Sequence, residues 1–390
     1  MSRQNTLYQI SEWTSTVRKH MSHLSKTQAT MLALVSFAMA LTRCCGQTMV
    51  STMLAKLLKK DDEAVRQQVR ELYYDAKDKR GNKRVAIDIE TCFCPLLRWV
   101  LSFWQDARLV LILDATTLLD RFVVLAVSVA YRSIAIPVAW KILPGNQKHP
   151  WNPEWQRLLQ LIKPAIPEHM TVLVLSDRGL FSHVLFREIK LLAWHPLMRI
   201  NVGGKFRPEN HSLFRPLCWF APQAGAYWCG SGTAFKKNPL QCTLLAYWEY
   251  GYDEPWLLVT DLAPEDVQAC WFSLRAWIEQ GFRTTKRGCL QWHNTKMTDP
   301  DRAARMWLPI AITTLYLASI GTATDKEAMQ NYQPLAEQVL DNYKLGRPPA
   351  KRLSVVKQGW INMLVTLLED GMLIFSNLFP QPWPMLVPNG

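Results

Sequence analysis

The 390-residue chain lacks an apolar run long enough to cross a bilayer. In its C-terminal half the longest candidate, Met306–Ile320, contains Pro309 and falls short of the roughly 20 residues a span requires. Met31–Leu41 is shorter still. The N-terminus is polar and mixed in charge, without the apolar centre of a signal peptide. A cysteine framework is missing too. The nine cysteines are an odd count, and neither Cys44-Cys45 nor Cys92-x-Cys94 has the spacing or the accompanying histidine pair of a zinc site. The thiols are expected to be reduced, and the protein soluble and cytoplasmic. There is no internal repeat and no low-complexity tract. Acid is scarce: 32 Asp and Glu stand against 45 Lys and Arg, a net charge of +13. Such an excess attracts polyanions, of which nucleic acid is the usual one; the plain alternative is a basic enzyme with no such partner. What remains is a globular composition, 49% apolar and 20% charged, with 17 tryptophans. Tryptophan packs cores and also stacks on unpaired bases.

The most informative stretch is Phe272–Lys286. Read as a helix, it brings Phe272, Arg275, Glu279, Phe282, Arg283 and Lys286 within roughly 100° of one another. A core face would be apolar, and a solvated face would not carry the two rings. One carboxylate among three cations suits a site that works on an anion. The plain alternative is a surface helix held by a Glu279–Arg283 pair.

Residues 1–95 read as helical. Thr27–Leu41 is apolar-rich, Arg43–Gly46 is a break, Val50–Leu58 resumes helical spacing, and Lys59–Asp62 makes a turn in which Asp61 or Asp62 caps a helix over Glu63–Lys77. That last helix carries Arg66, Gln67, Gln68, Arg70, Tyr73 and Tyr74, and it runs into the basic patch Lys77, Lys79, Arg80, Lys83, Arg84. This is the pattern of a helix-turn-helix reader of DNA, against the alternative of a helical bundle. From about residue 96 the period changes. Leu109–Leu113, Phe122–Ala130 and Ser133–Ile142 predict an antiparallel three-strand meander. A helix over Trp151–Ile162, a strand over Thr171–Ser176, a helix over Phe181–Leu191 and a strand over Pro196–Ile200 follow. Residues 201–262 predict a β-rich insertion, 263–321 a helix from Pro264 to about Lys286 and an apolar helix from Met306, and 322–390 further helices around the basic linker Arg347–Arg352.

Two acids, Asp114 and Asp177, stand directly after apolar strands, where a carboxylate is costly unless it is paired or holds a metal. Singly, each reads as a strand-end cap. Together with Glu279 they supply the hard oxygen donors of a two-metal phosphoryl-transfer site, with Mg²⁺ or Mn²⁺ as the ions. Asp120 reads as a turn residue paired with Arg121.

Meander, helix, strand with its acid, helix, and a late helix with a third acid is the ribonuclease H-like order, within an α/β fold class. The chain resembles the DDE transposases of bacterial insertion sequences, in the branch marked by a Tyr-x2-Arg-x3-Glu-x6-Lys signature, present here as Phe272-x2-Arg275-x3-Glu279-x6-Lys286. Leu113-Asp114-Ala-Thr116 and Leu175-Ser-Asp177-Arg-Gly179 resemble the first two acid motifs, and the likeness covers roughly residues 100–320. It implies that Asp114, Asp177 and Glu279 bind two metal ions, and that Arg275 and Lys286 hold the DNA end. Trp256 falls where relatives stack a flipped base, although a core tryptophan is the alternative. It further implies terminal inverted repeats and target DNA as partners, a homodimer on paired ends with the C-terminal helices as candidates for the contact, and a prokaryotic, nucleoid-associated location. The signature tyrosine is Phe272, so its hydroxyl contact with phosphate is lost. Two other readings stand beside this one: a DNA-binding or regulatory relative that does not cut, and another ribonuclease H-like nuclease.

Overall fold

The structure, a computed structural model, describes residues 3–81, 85–147, 151–323 and 353–384. Four helices open it: α1 (Arg3–His20), α2 (Lys26–Thr42), α3 (Gln47–Leu58) and α4 (Asp62–Tyr73). Ser25 starts α2 with a capping box: its hydroxyl accepts from the Gln28 amide, and the Gln28 side chain accepts from the Ser25 amide. Asp61 caps α4 through the Ala64 amide. The expected helix to Lys77 stops at Tyr73, because Tyr74 is extended. A fifth helix, α5 (Glu90–Ser102), crosses the expected boundary of the helical region at residue 95. Pro95 within it hides the signal, yet Phe93, Leu96, Leu97 and Val100 recur at helical spacing and are all buried.

The expected meander forms as β1 (Arg108–Leu118), β2 (Phe122–Tyr131) and β3 (Ile134–Pro144). β2 is buried along its whole length, as its continuous apolar run requires. Helix α6 (Asn152–Ile162), strand β4 (Thr171–Ser176), helix α7 (His183–Leu191) and strand β5 (His195–Arg199) follow in the expected order. β4 pairs parallel with β1, and β5 parallel with β4. The insertion supplies β6 (Lys205–Pro208), β7 (Arg215–Pro216), β8 (Tyr227–Ala234), β9 (Leu240–Tyr247) and β10 (Trp256–Thr260). These strands do not stand apart from the meander. β10 pairs with β5, so among the described residues one sheet runs β3-β2-β1-β4-β5-β10-β9-β8-β6-β7.

The segment expected as one helix from Pro264 is broken. A 3₁₀ stretch over Ala269–Ala276 leads into the short helix α8 (Trp277–Arg283), and a π turn over Thr284–Gly288 ends it. Helix α9 (Pro300–Ala323) is longer than its apolar run implied. By length and composition it is apolar enough to cross a membrane, yet 94% of its most apolar window is buried inside the protein, against α2, β3 and the last described helix, α10 (Val355–Leu368). It is the core helix of the fold, and Pro309 is buried within it. After α10 the chain runs beside α5 and β2: the Leu378 amide donates to Phe103, and Arg132 donates to the Phe379 carbonyl. The basic linker Arg347–Arg352, Lys83 and Arg84 lie outside the described residues.

Candidate functional site

The register of β1 against β4 builds the site. Leu113 pairs with Ser176, so Asp114 and Asp177 are the next residues along two adjacent parallel strands and emerge at the same level of the sheet, where strands lie about 4.8 Å apart. Asp114 is not at a strand end as expected, since β1 continues four residues beyond it to Leu118. Asp177 does stand just past β4, in extended backbone before a 3₁₀ turn. The third acid arrives on α8, which packs across β3. Gly281 makes that approach possible: a Cβ there would lie 2.9 Å from the Ala135 carbonyl oxygen. We expect Gly281→Val to push α8 off the sheet and to cost about 1–3 kcal/mol of stability, read as a lowered midpoint in thermal unfolding and a weaker ion pair between Arg275 and Asp114.

Arg275 ties the three carboxylates together. Its Nη2 lies 3.0 Å from Asp114 Oδ2 and 3.9 Å from Asp177 Oδ2, and its Nη1 lies 3.1 Å from Glu279 Oε1. The guanidinium and Asp114 are nearly enclosed, with side chains 17% and 15% exposed, whereas Glu279 is 59% exposed. Burial pushes the Asp114 carboxyl up. The Arg275 guanidinium and the Ala115 amide, which donates to Oδ1 at 2.8 Å, oppose the rise, and the neighbouring Asp177 and Glu279 add to it. Asp177 Oδ1 is buried without a hydrogen-bond partner, and Arg199 Nη1 is 3.8 Å from it. A cavity of about 300 Å³ opens beside the pair, lined by Asp114, Thr116, Thr117, Trp151, Asp177 and Gly179.

Lys286 reaches the same strand. Its ammonium donates to Thr116 Oγ1 and to the Thr117 carbonyl, both at 2.6 Å. Burial lowers its pKa, Arg287 adds to the drop, and Asp114 opposes it. The π turn, of a kind often found at functional sites, shapes the backbone that carries this lysine. Two members of the expected stripe are placed differently from the three acids and Lys286. Arg283, the last residue of α8, is exposed, and Glu279 pairs with Arg275 instead of with it. Phe272 is buried at 4% exposure with its ring against Trp256, centroids 5.5 Å apart, so it backs Trp256. A uniform 100° step did not foresee this, because the segment tightens to 3₁₀ and then loosens to π.

Trp256 is half-buried at the start of β10, in register with Tyr247 on β9, which is in register with Tyr227 on β8. The rings form a cross-strand row with centroids 6.0 and 6.2 Å apart. Sequence reasoning missed a second cation group. Glu254 accepts from Arg178 at 2.9 Å and from Arg199 at 2.7 Å, which fixes two guanidinium groups beside Asp177. The available signal was an arginine directly after the second acid and another at the end of the next strand. Asp120 lies in the β1–β2 turn as expected, but Arg121 turns away to the carbonyls of Thr295 and Met297.

The helix-turn-helix candidates sit apart from this cluster. On α4, Arg66 and Arg70 are partly exposed, and Arg66 lies 3.8 Å from Glu63. Tyr73 is buried, and Tyr74 is half-buried under Arg302. The exposed first turn of α4 carries Asp62 and Glu63, which would repel phosphate at the end that such helices direct at bases.

The donor chemistry suits a hard divalent ion: three carboxylates, one with a buried oxygen free to accept. As the side chains stand, no three His, Cys, Asp or Glu among the described residues converge closely enough to hold a metal, because Arg275 lies between them. No protein-family model matches the sequence, and no curated protein matches it. Among solved structures, the chain is similar to a piggyBac transposase in a synaptic complex with hairpin DNA, at 10% identity and a TM-score of 0.35, over 89% of this chain and 72% of that one. Likeness at that level carries no argument about chemistry.

Proposed function

We propose that the chain is a DNA transposase of the DDE type, with a ribonuclease H-like catalytic core that cuts insertion-sequence ends and joins them to target DNA. One observation carries the reading. Carboxylates from β1, from the end of β4 and from α8 meet on a single guanidinium, at the spacing of the Arg-x3-Glu-x6-Lys signature, in a sheet whose β3-β2-β1-β4-β5 part has the strand order of that core. Asp114, Asp177 and Glu279 would hold two Mg²⁺ or Mn²⁺ ions, and these would supply an activated nucleophile and stabilise the departing oxygen. Arg178, Arg199 and Lys286 supply positive charge for the phosphate backbone. Trp256, backed by Phe272, offers a face on which an unpaired base stacks. The net charge of +13 suits the polyanion, and pairing of two DNA ends calls for two copies of the chain.

The test is strand cleavage and strand transfer on DNA that carries the inverted repeats flanking the gene. With Mg²⁺ present, 3′-OH ends should appear and join a target plasmid. Binding of the ends without cleavage would favour a regulatory DNA-binding protein. Cleavage of branched or hybrid substrates without joining would favour a different nuclease.

A further inference from the structure

Both oxygens of Asp114 already accept a hydrogen bond. Oδ1 accepts from the Ala115 amide at 2.8 Å, and Oδ2 accepts from Arg275 Nη2 at 3.0 Å. Asp177 differs, because its buried Oδ1 has no hydrogen-bond partner. A divalent ion binds carboxylate oxygen at about 2.0–2.1 Å. The oxygen keeps a lone pair for an ion, so what opposes a cation at Asp114 Oδ2 is the guanidinium charge already 3.0 Å from it. Charge argues the same way: the carboxylates of Asp114, Asp177 and Glu279 carry three negative charges, and Arg275 cancels one of them. A cation placed among the three would face Arg275 in a nearly enclosed space, where like charges repel strongly. Besides Asp114 the guanidinium holds Glu279 at 3.1 Å and lies 3.9 Å from Asp177, and its Nε is buried and unpartnered.

We propose that Arg275 is the resident cation of the acid cluster and acts as an electrostatic gate, so that divalent ions and a phosphate-bearing ligand bind with positive coupling. The inference rests on the reading of the three acids as metal ligands. A DNA phosphate at the cleft gives the guanidinium a new anionic partner, and its withdrawal frees Asp114 Oδ2 for a cation. By linkage the coupling is reciprocal: the metal that displaces Arg275 also makes the guanidinium available to phosphate. The device keeps metal affinity low until DNA is in place, which limits cutting by the protein alone.

Mn²⁺ binding to the full chain, followed by electron paramagnetic resonance of the free ion, tests the gate without reference to activity. Without DNA, Arg275→Gln should bind Mn²⁺ roughly tenfold more tightly than the wild type. Arg157→Gln removes a cation that pairs with Glu90 and with none of the three acids, and it should change affinity little. Arg275→Lys guards against misfolding: it keeps the charge but reaches fewer of the oxygens, so its affinity should be intermediate. In the second arm, fluorescence anisotropy follows a labelled DNA duplex at fixed ionic strength. Mn²⁺ should tighten DNA binding by the wild type, and in Arg275→Gln that factor should fall to about one. Equal Mn²⁺ affinities in wild type and Arg275→Gln, or an equal gain for Arg157→Gln, would overturn the gate while leaving the metal reading intact. Absence of stoichiometric Mn²⁺ binding in every variant, with and without DNA, would overturn both.

Discussion

Glu279→Gln is expected to lower strand cleavage by roughly 10²–10³-fold, the scale seen when one preorganised electrostatic group is removed from a catalytic centre, and to leave DNA binding close to that of the wild type. The contrast follows from exposure. Glu279 is 59% exposed, and its i,i+4 pair with Arg275 is worth at most about 1 kcal/mol in such a setting. The glutamine keeps the shape and the hydrogen-bonding capacity of the side chain. Arg275 keeps Asp114, so the fold and the cations proposed to meet DNA stay in place. Gel-shift and cleavage assays on the same DNA separate the two effects. A variant that still cleaves at near wild-type rate would show that the third carboxylate has no part in the chemistry.

Gly359→Ala is expected to have the largest effect on stability. Where α9 and α10 cross, Gly321 and Gly359 face one another. A Cβ on Gly359 would stand 1.8 Å from the Leu317 carbonyl oxygen, and one on Gly321 would stand 2.0 Å from that of Val355. Those neighbours are backbone, so the helices must separate, at about 2–3 kcal/mol or more. The damage should reach the site. The chain after α10 carries Trp383 onto Trp271, and the Cys270 thiol donates to the Pro384 carbonyl; both contacts brace the 3₁₀ stretch that carries Arg275. Thermal unfolding should therefore show a lowered midpoint for Gly359→Ala. Gly203→Ala is the control: a Cβ there meets nothing within 4 Å, and its midpoint should match the wild type.

Much of this site was legible before any coordinates. Apolar runs ending in Asp114 and Asp177 mark two buried strands, since a run bounded by turn residues leaves the chain few other ways to hide its side chains. β4 falls on the expected residues, Thr171–Ser176. The charge around Glu279 was legible as well, although the i,i+4 partner expected from the sequence was Arg283 and the one found is Arg275, across the turn where the 3₁₀ stretch joins α8. What sequence could not give depends on tertiary contacts. Phe272 looked like part of a working face, yet its partner is Trp256, on a strand sixteen residues earlier. Tyr73 looked like a reader on α4 and is core. α5 was hidden by Pro95, although its apolar residues keep the helical period. The clamp of Glu254 on Arg178 and Arg199 joins three separate loops and strand ends, a juxtaposition that only the sheet order β4-β5-β10 creates.

The central claim is that these carboxylates hold the ions that cut DNA, and Asp177→Cys tests it most directly. A thiolate binds the hard ion Mg²⁺ poorly and accepts softer metals more readily. Cleavage of end-bearing DNA by this variant should be lost with Mg²⁺ and partly restored with Mn²⁺, while Asp177→Ala stays inactive with both. Full activity of Asp177→Cys in Mg²⁺, or equal inactivity of the Cys and Ala variants in Mn²⁺ with DNA binding intact, would contradict the account.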